Sequence, residues 1–258
     1  MSPAQQVMVT RRGHVCEVRL NRPEKRNALT SGMYASLLEA FTEAQRDDEI
    51  RVLLLSGEGA CFTAGNDLKD FLNAPAVAPD NVIPRFLRAL SGFSKVLIAA
   101  VHGPTVGIGA TLLLHCDLVI AAARSTKLIM PFVQLGLVPE AGSTLLLARL
   151  IGHQRAAEVF LLGEPLDATT AKEWGLVNRV VDDEALMAQA RALADAAARQ
   201  PPGAVRATKR LMRVARSAET AAHIQEELGV FAARLGSAEF AAAAQAFFGK
   251  SSGRAGGT

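Results

Sequence analysis

Glu140 stands in the segment Phe132-Val-Gln-Leu-Gly-Leu-Val-Pro-Glu-Ala-Gly-Ser143, between a proline and a small-residue turn, just before an apolar run. A carboxylate among Phe132, Leu137 and Val138 can carry a proton. Apolar neighbours exclude water and raise its pKa toward the range where it exchanges protons readily. The plainer alternative is an acid placed at a helix N-terminus, where the helix dipole favours negative charge. Two glycine turns offer complementary chemistry. Val101-His-Gly-Pro-Thr-Val-Gly-Ile-Gly-Ala-Thr-Leu112 leaves an apolar run and opens a helical pattern. A dinucleotide fingerprint needs a third glycine where Leu112 stands. The turn therefore reads as a tight, close-packing bend, or as a source of free N–H groups at a helix N-terminus that stabilise an oxyanion. Ala60-Cys-Phe-Thr-Ala-Gly-Asn-Asp-Leu-Lys69 has the same strand, turn and helix logic, with Asn66 or Asp67 as the helix cap.

These residues must be held by regular elements. Val15–Leu20 alternates and predicts a strand. Thr30 or Ser31 caps a helix to about Asp47. Arg51–Ser56 and Val96–Val101 are apolar runs of buried-strand length, and Leu118–Ala122, Lys127–Met130 and Asn178–Val181 add shorter strands. Short helices are predicted over Asn66–Leu72, Val82–Leu90 and from the second glycine turn through Cys116, with others over Gly142–Leu150 and Ala156–Leu162. Beyond about residue 182 every signal is helical: Glu184–Arg199, Ala204–Arg216, Glu219–Leu235 and Ala238–Phe248. Ile224, Leu228 and Phe231 form an apolar stripe for the core or for another subunit. Alternating strands and helices imply parallel strands with helical crossovers. Asn73–Asp80 reads as a mobile loop, and Ser251–Thr258 as a disordered tail.

Composition narrows the class. The 258 residues are 50% hydrophobic and carry a net charge of +3, too balanced for a nucleic-acid footprint. Cys16, Cys61 and Cys116 are an odd, scattered set without a CxxC pair, which points to reduced thiols in the cytoplasm and to no zinc site. The N-terminus has no signal-peptide pattern, and no apolar run is long enough to span a bilayer.

Read in order, Asn21-Arg-Pro-Glu-Lys-Arg-Asn-Ala-Leu29, Phe62–Leu68, His102–Gly109, Cys116–Ala122, Leu135–Gly142, Ala168–Val177 and Pro202–Lys209 resemble the enoyl-CoA hydratase/isomerase, or crotonase, family. The resemblance runs from Val15 to Lys250. It implies an α/β fold, a spiral of ββα turns over residues 1–200 that holds the CoA site. A C-terminal helical region, residues 201–258, would build trimers, often paired into hexamers. The implied substrate is an acyl-CoA thioester, with no further cofactor, no metal, no nucleic acid and no membrane partner. The oxyanion hole would be the N–H groups of Asn66 and Ile108. Arg22, Lys25 and Ala28 would border CoA. Ala64, Asp67 and Leu68 would border its pantetheine and adenine, and Lys69 and Lys209 would meet phosphate.

The same resemblance separates reactions. A hydratase uses two glutamates, at positions that hold Thr111 and Phe132 here. Glu140 matches the single acid of several 3,2-enoyl-CoA isomerases. The implied activity is a double-bond shift with Glu140 as the base. Other crotonase reactions (hydration by a rearranged site, ring isomerisation in aromatic catabolism, thioester hydrolysis) and a non-catalytic CoA-binding scaffold are the alternatives. Asp117 reads as structural, and Tyr34 and His102 as possible auxiliaries.

Overall fold

Val96-Leu-Ile-Ala-Ala-Val101 shows no alternation because both of its faces are covered: all six residues are buried. The computed structural model describes residues 3–73 and 81–253. The strands are β1 (Val7–Arg12), β2 (Val15–Leu20), β3 (Val52–Gly57), β4 (Val96–Val101), β5 (Pro104–Val106), β6 (Leu118–Ala122), β7 (Lys127–Ile129), β8 (Leu166–Asp167) and β9 (Arg179–Val181). The helices are α1 (Pro3–Gln6), α2 (Ser31–Arg46), α3 (Leu68–Asn73), α4 (Val82–Ser91), α5 (Ile108–Thr111), α6 (Ser143–Ile151), α7 (His153–Leu162), α8 (Ala168–Glu173), α9 (Leu186–Ala198), α10 (Pro202–Leu235) and α11 (Ala238–Gly253).

The large sheet has the order β1-β2-β3-β4-β6-β9, antiparallel only between β1 and β2. A small sheet, β5-β7-β8, lies beside it, and the isolated bridge Thr63↔Thr105 extends its pattern to the segment after β3. The turns that start at β3, β4 and β6 each lay one strand in the large sheet, one extended segment in the small one, and then a helix. This is the ββα spiral that the sequence implied, followed by the C-terminal helices.

Strand register sends alternate residues to two cores. Leu53, Leu55, Leu97 and Ala99 join the main cluster with Phe41, Phe86 and Leu90. Val52, Leu54, Ile98 and Ala100 face the other way, against Ala190, Ala194 and Ala198 of α9, where small side chains at helical spacing let the helix lie close to the sheet. Edge-on contacts of Phe86 with Tyr34 and with Phe41, centroids 5.4 and 5.6 Å apart, lock α4 on α2. Each of these buried aromatics contributes about 2–3 kcal/mol by burial alone.

Several elements differ from expectation. The two helices expected over 204–235 are one continuous 34-residue helix, since neither Gly nor Pro stands at Ser217-Ala218. Strand β1 was not anticipated: it is an edge strand with four successive exposed residues, so it carries no alternation. Strands β5 and β8 are too short to show a period. The helix after the second glycine turn is four α residues followed by a 3₁₀ turn, Leu112–His115. Residues 251–253 of the expected tail are the end of a helix, and residues 254–258 of that tail and 74–80 of the expected loop lie outside the described residues. No described helix is long and apolar enough to cross a membrane.

Candidate active site

Strands β3 and β4 are parallel neighbours, so the loops leaving their C-terminal ends emerge side by side. Backbone bonds then knit the loops together. Val106 N donates to Thr63 O at 2.9 Å, and Phe62 N donates to His102 O at 2.8 Å. Two glycines permit this approach. A Cβ on Gly65, whose φ is +87°, would lie 2.9 Å from Val106 O, and one on Gly109 would lie 2.3 Å from Thr63 Cγ2.

The result is a pair of free amides. Leu29 N and Asp67 N are spent on Gly65 O and Leu29 O, and Ala110 N and Thr111 N on Gly107 O. The N–H groups of Asn66 and Ile108 donate to no protein acceptor among the described residues. Ile108 is the first residue of α5, where the helix leaves its amides unpaired and positive. Asn66 is fixed through its side chain, whose Oδ1 accepts from Tyr34 Oη at 2.6 Å. Tyr34 is fully buried, which keeps its hydroxyl protonated and donating.

One turn along α5 from Ile108, the Thr111 hydroxyl donates to Glu140 Oε1 at 2.9 Å. Three residues of helix rise only ~4.5 Å, so α5 ties the acid closely to one free amide. Glu140 is 3% exposed. Burial raises its pKa from 4.5 to about 8. The Thr111 bond opposes that rise and the charge of Glu227 adds to it. Phe132 is also buried, and its ring tip lies 4.0 Å from where a Cβ on Gly107 would stand. The expected acid, the two amides, Thr111 and Phe132 therefore converge.

The expected CoA border is only partly assembled as anticipated. Arg22 Nη1 donates to Asp67 Oδ2 at 2.7 Å and to Ala28 O at 2.9 Å, so three of the border residues brace one another. Burial raises the Asp67 pKa, but the Arg22 bond and helix N–H groups outweigh it and hold the carboxylate ionised. Asp67, not Asn66, caps α3, through Lys69 N and Asp70 N. Ala64 and Leu68 are half-buried alongside, and Lys25 and Lys69 are exposed.

Lys209 departs from expectation. It is buried, and its ammonium donates to Asp117 Oδ2 and to Lys95 O, both at 2.6 Å. Burial lowers its pKa to about 8 against the pull of Asp117. An ammonium so enclosed joins α10 to the sheet and does not reach a phosphate. Asp117 is structural, as expected, and also accepts from Leu97 N. The His102 ring is bonded to Gly59 O at 2.8 Å.

Three residues here were not singled out from sequence. Asn27, fully buried with φ +54°, donates to the carbonyls of Glu58, Cys61 and Phe62 and accepts from Arg22 N. It ties the Arg22–Ala28 loop to the first oxyanion loop. His115 bonds Ala141 O at 2.7 Å, and Glu227 bonds Gly142 N at 2.5 Å. A cavity of about 270 Å³ lies behind this turn, lined by His115, Leu146, Arg213 and Thr220 among others. Its lining includes none of Glu140, Asn66 and Ile108.

Residues 10–254 match the family model described as enoyl-CoA hydratase/isomerase. The chain is 45% identical to 1,2-epoxyphenylacetyl-CoA isomerase of Escherichia coli K12 over 194 residues, 72% of this chain and 74% of that one. It is 38% identical to mevalonyl-coenzyme A hydratase of Aspergillus fumigatus, covering 76% and 73% of the two chains. The structure of Pseudomonas aeruginosa OdaA superposes with a TM-score of 0.92 at 45% identity, covering 94% of this chain and 98% of that one.

Proposed function

The chain belongs to the enoyl-CoA hydratase/isomerase family, and we propose that within it this enzyme moves a double bond, converting a 3-enoyl-CoA to a 2-enoyl-CoA. The observation that carries this reading is the placement of one buried acid, Glu140, tied by Thr111 to the helix whose first amide is Ile108 N–H. The residues at the two hydratase positions, Thr111 and Phe132, cannot replace glutamates as proton carriers.

In this reading the thioester oxygen sits between the N–H groups of Asn66 and Ile108. The Glu140 carboxylate removes a proton from C2. The electron pair of that C–H bond moves into the C1–C2 bond, and the charge gathers on the oxygen as a dienolate. The two amides meet that charge, and one such donor is typically worth about 3–4 kcal/mol of barrier. The carboxyl of Glu140 then returns its proton at C4, and the double bond settles between C2 and C3 in conjugation with the thioester. Atoms and charge balance with no added reagent. The exposed Lys25 and Lys69 serve the CoA phosphates, and Arg22, Ala28, Ala64, Asp67 and Leu68 form the wall beside them.

The test is a comparison of substrates. Purified protein should convert 3-enoyl-CoA to the conjugated product, and Glu140→Gln should lose that activity. Efficient hydration of 2-enoyl-CoA that survives Glu140→Gln would sink the assignment. A second reading, isomerisation on a ring-bearing CoA thioester, is favoured by the 45% identity to 1,2-epoxyphenylacetyl-CoA isomerase. The same base and oxyanion hole would serve it, and faster turnover of a ring epoxide than of a linear 3-enoyl-CoA would select it.

A further inference from the structure

The turn carrying Glu140 is gripped from behind by the C-terminal helix. Glu227 of α10, buried, accepts from Gly142 N at 2.5 Å, Thr144 N at 2.9 Å and the Thr144 hydroxyl at 2.6 Å. These groups belong to the start of α6, the positive end of that helix. From the other side the His115 ring lies 2.7 Å from Ala141 O; a carbonyl only accepts, so Nε2 carries the proton. The two residues after Glu140 are therefore each held by a buried side chain. Both sit in the left-handed region, Ala141 at φ +66° and Gly142 at φ +71°. An alanine there is a costly conformation that its surroundings must enforce.

We propose that Glu227 is a positioning residue for proton transfer: it clamps the Glu140 turn to α10 and, as the anion chosen by the α6 N-terminus, maintains Glu140 as the stronger base. The proposal rests on reading Glu140 as the base. Two buried carboxylates face the start of one helix, and their surroundings differ. Glu227 has three donors, two of them helix amides, while Glu140 has one hydroxyl. Charge therefore settles on Glu227 and the proton on Glu140. Burial raises the proton affinity of both; three donor bonds oppose this at Glu227, while at Glu140 one hydroxyl bond opposes it and the charge of Glu227 reinforces it.

The other titratable groups leave this division intact. From α2, Tyr34 stays protonated. His115, from the 3₁₀ turn after α5, is kept neutral by burial, its pKa lowered to about 4, with Arg213, Arg216 and Lys209 of α10 also disfavouring its charge. From α10 itself, His223 stands with Nε2 3.9 Å from Glu227 and 2.7 Å from the Thr144 hydroxyl. Since that hydroxyl donates to Glu227, His223 is the donor to it, which supports the anion further. Glu226, the next acid on α10, is solvent-exposed.

Glu227→Gln tests this, because it keeps size and one acceptor but removes the charge. The pH profile of kcat/KM for the double-bond shift should keep its form, and its midpoint should fall by about one pH unit, with KM nearly unchanged. A midpoint equal to that of the unsubstituted enzyme, with only a lower Tm, means that Glu227 is merely structural and overturns the proposal. Glu140→Gln is run beside it. If that variant stays active, the functional reading fails and this proposal fails with it, whereas an inactive Glu140→Gln beside an unmoved midpoint in Glu227→Gln overturns the positioning role alone. Should Glu227→Gln not fold, infrared titration of the unsubstituted protein decides. The expected result is one buried protonated carboxyl band near neutral pH that disappears in Glu140→Gln. A band that survives Glu140→Gln puts the proton on Glu227 and overturns the proposal.

Discussion

Thr111 and Glu140, 29 residues apart in the chain, meet across 2.9 Å with the hydroxyl donating and the carboxyl accepting. This bond joins the helix that begins with the Ile108 amide to the turn that carries Glu140. A hydroxyl stands where, by the family resemblance, a hydratase would carry the first of its two glutamates. Its donation is the only direct brake on the rise in the Glu140 pKa caused by burial.

Replacing Glu140 with Gln removes the proton carrier and keeps the shape. The rate of the double-bond shift should fall by about 10²–10⁴-fold, with CoA binding retained, as measured by steady-state kinetics and calorimetry with a saturated acyl-CoA. In the unsubstituted enzyme kcat/KM should rise with pH and reach half its plateau at about 8, because only the ionised carboxylate removes the proton.

The same group affects folding. Glu140 titrates at about 8 folded against 4.5 in its ordinary state. The folded chain thus holds a proton that the unfolded chain releases across that window. Its contribution to stability is complete below pH ~4.5, declines as pH rises to about 8, and is level above. Melting curves across pH 5–9 should show this decline in the unsubstituted protein and a flatter profile in Glu140→Gln.

Thr111→Val is isosteric and withdraws the donor. The midpoint of the kcat/KM profile should move up by roughly half to one pH unit, and activity at pH 7 should drop by about 3–10-fold. A profile unmoved by this substitution would show that the hydroxyl does not act on Glu140.

Gly65→Ala puts a Cβ 2.9 Å from Val106 O at a φ of +87°. The cost should be about 1–3 kcal/mol of stability. The larger effect should fall on kcat, because the displaced segment carries the Asn66 amide. Urea unfolding combined with kinetics separates the two.

Lys209 and the exposed lysines should behave oppositely. Lys209→Met leaves the half-buried Asp117 with Arg213 as its remaining cation and should cost about 2 kcal/mol in urea unfolding, while the affinity of folded protein for CoA stays the same. Lys25→Ala and Lys69→Ala should leave stability within ~0.5 kcal/mol and weaken CoA binding in a salt-dependent way.

The strands buried on both faces were legible because Val52–Leu55 and Val96–Val101 are uninterrupted apolar runs bounded by turn residues. Glu140 stood out in the sequence because it is a lone carboxylate among Phe132, Leu137 and Val138, although an acid just before a helix also has the plainer task of answering the helix dipole. The unspent amides of Asn66 and Ile108 could be anticipated only through the two glycine turns and the resemblance they carry, since a backbone N–H has no residue type. Asn27 was hidden because its four bonds reach residues 5 and 31–35 positions away on turns with no periodic signal. Lys209 misled because sequence does not tell a buried ammonium from a solvated one. Glu227 did leave a trace: it stands three residues after Ile224 and four before Phe231. An acid on the apolar face of a helix is expensive to bury without a partner, and that partner is the α6 amide pair.

The continuity of α10 has a mechanical consequence. Lys209 and Arg213 anchor its first half at Asp117, and Glu227 reaches the Glu140 turn from its second half. With no hinge between them, the helix fixes both the distance and the angular phase of one anchor relative to the other. One residue inserted between Arg213 and Glu227 would rotate Glu227 by ~100° and slide it ~1.5 Å along the axis, away from the turn it holds. A jointed pair of helices would have absorbed such an insertion as slack. In this chain the spacing of 14 residues from Arg213 to Glu227 is itself part of the site.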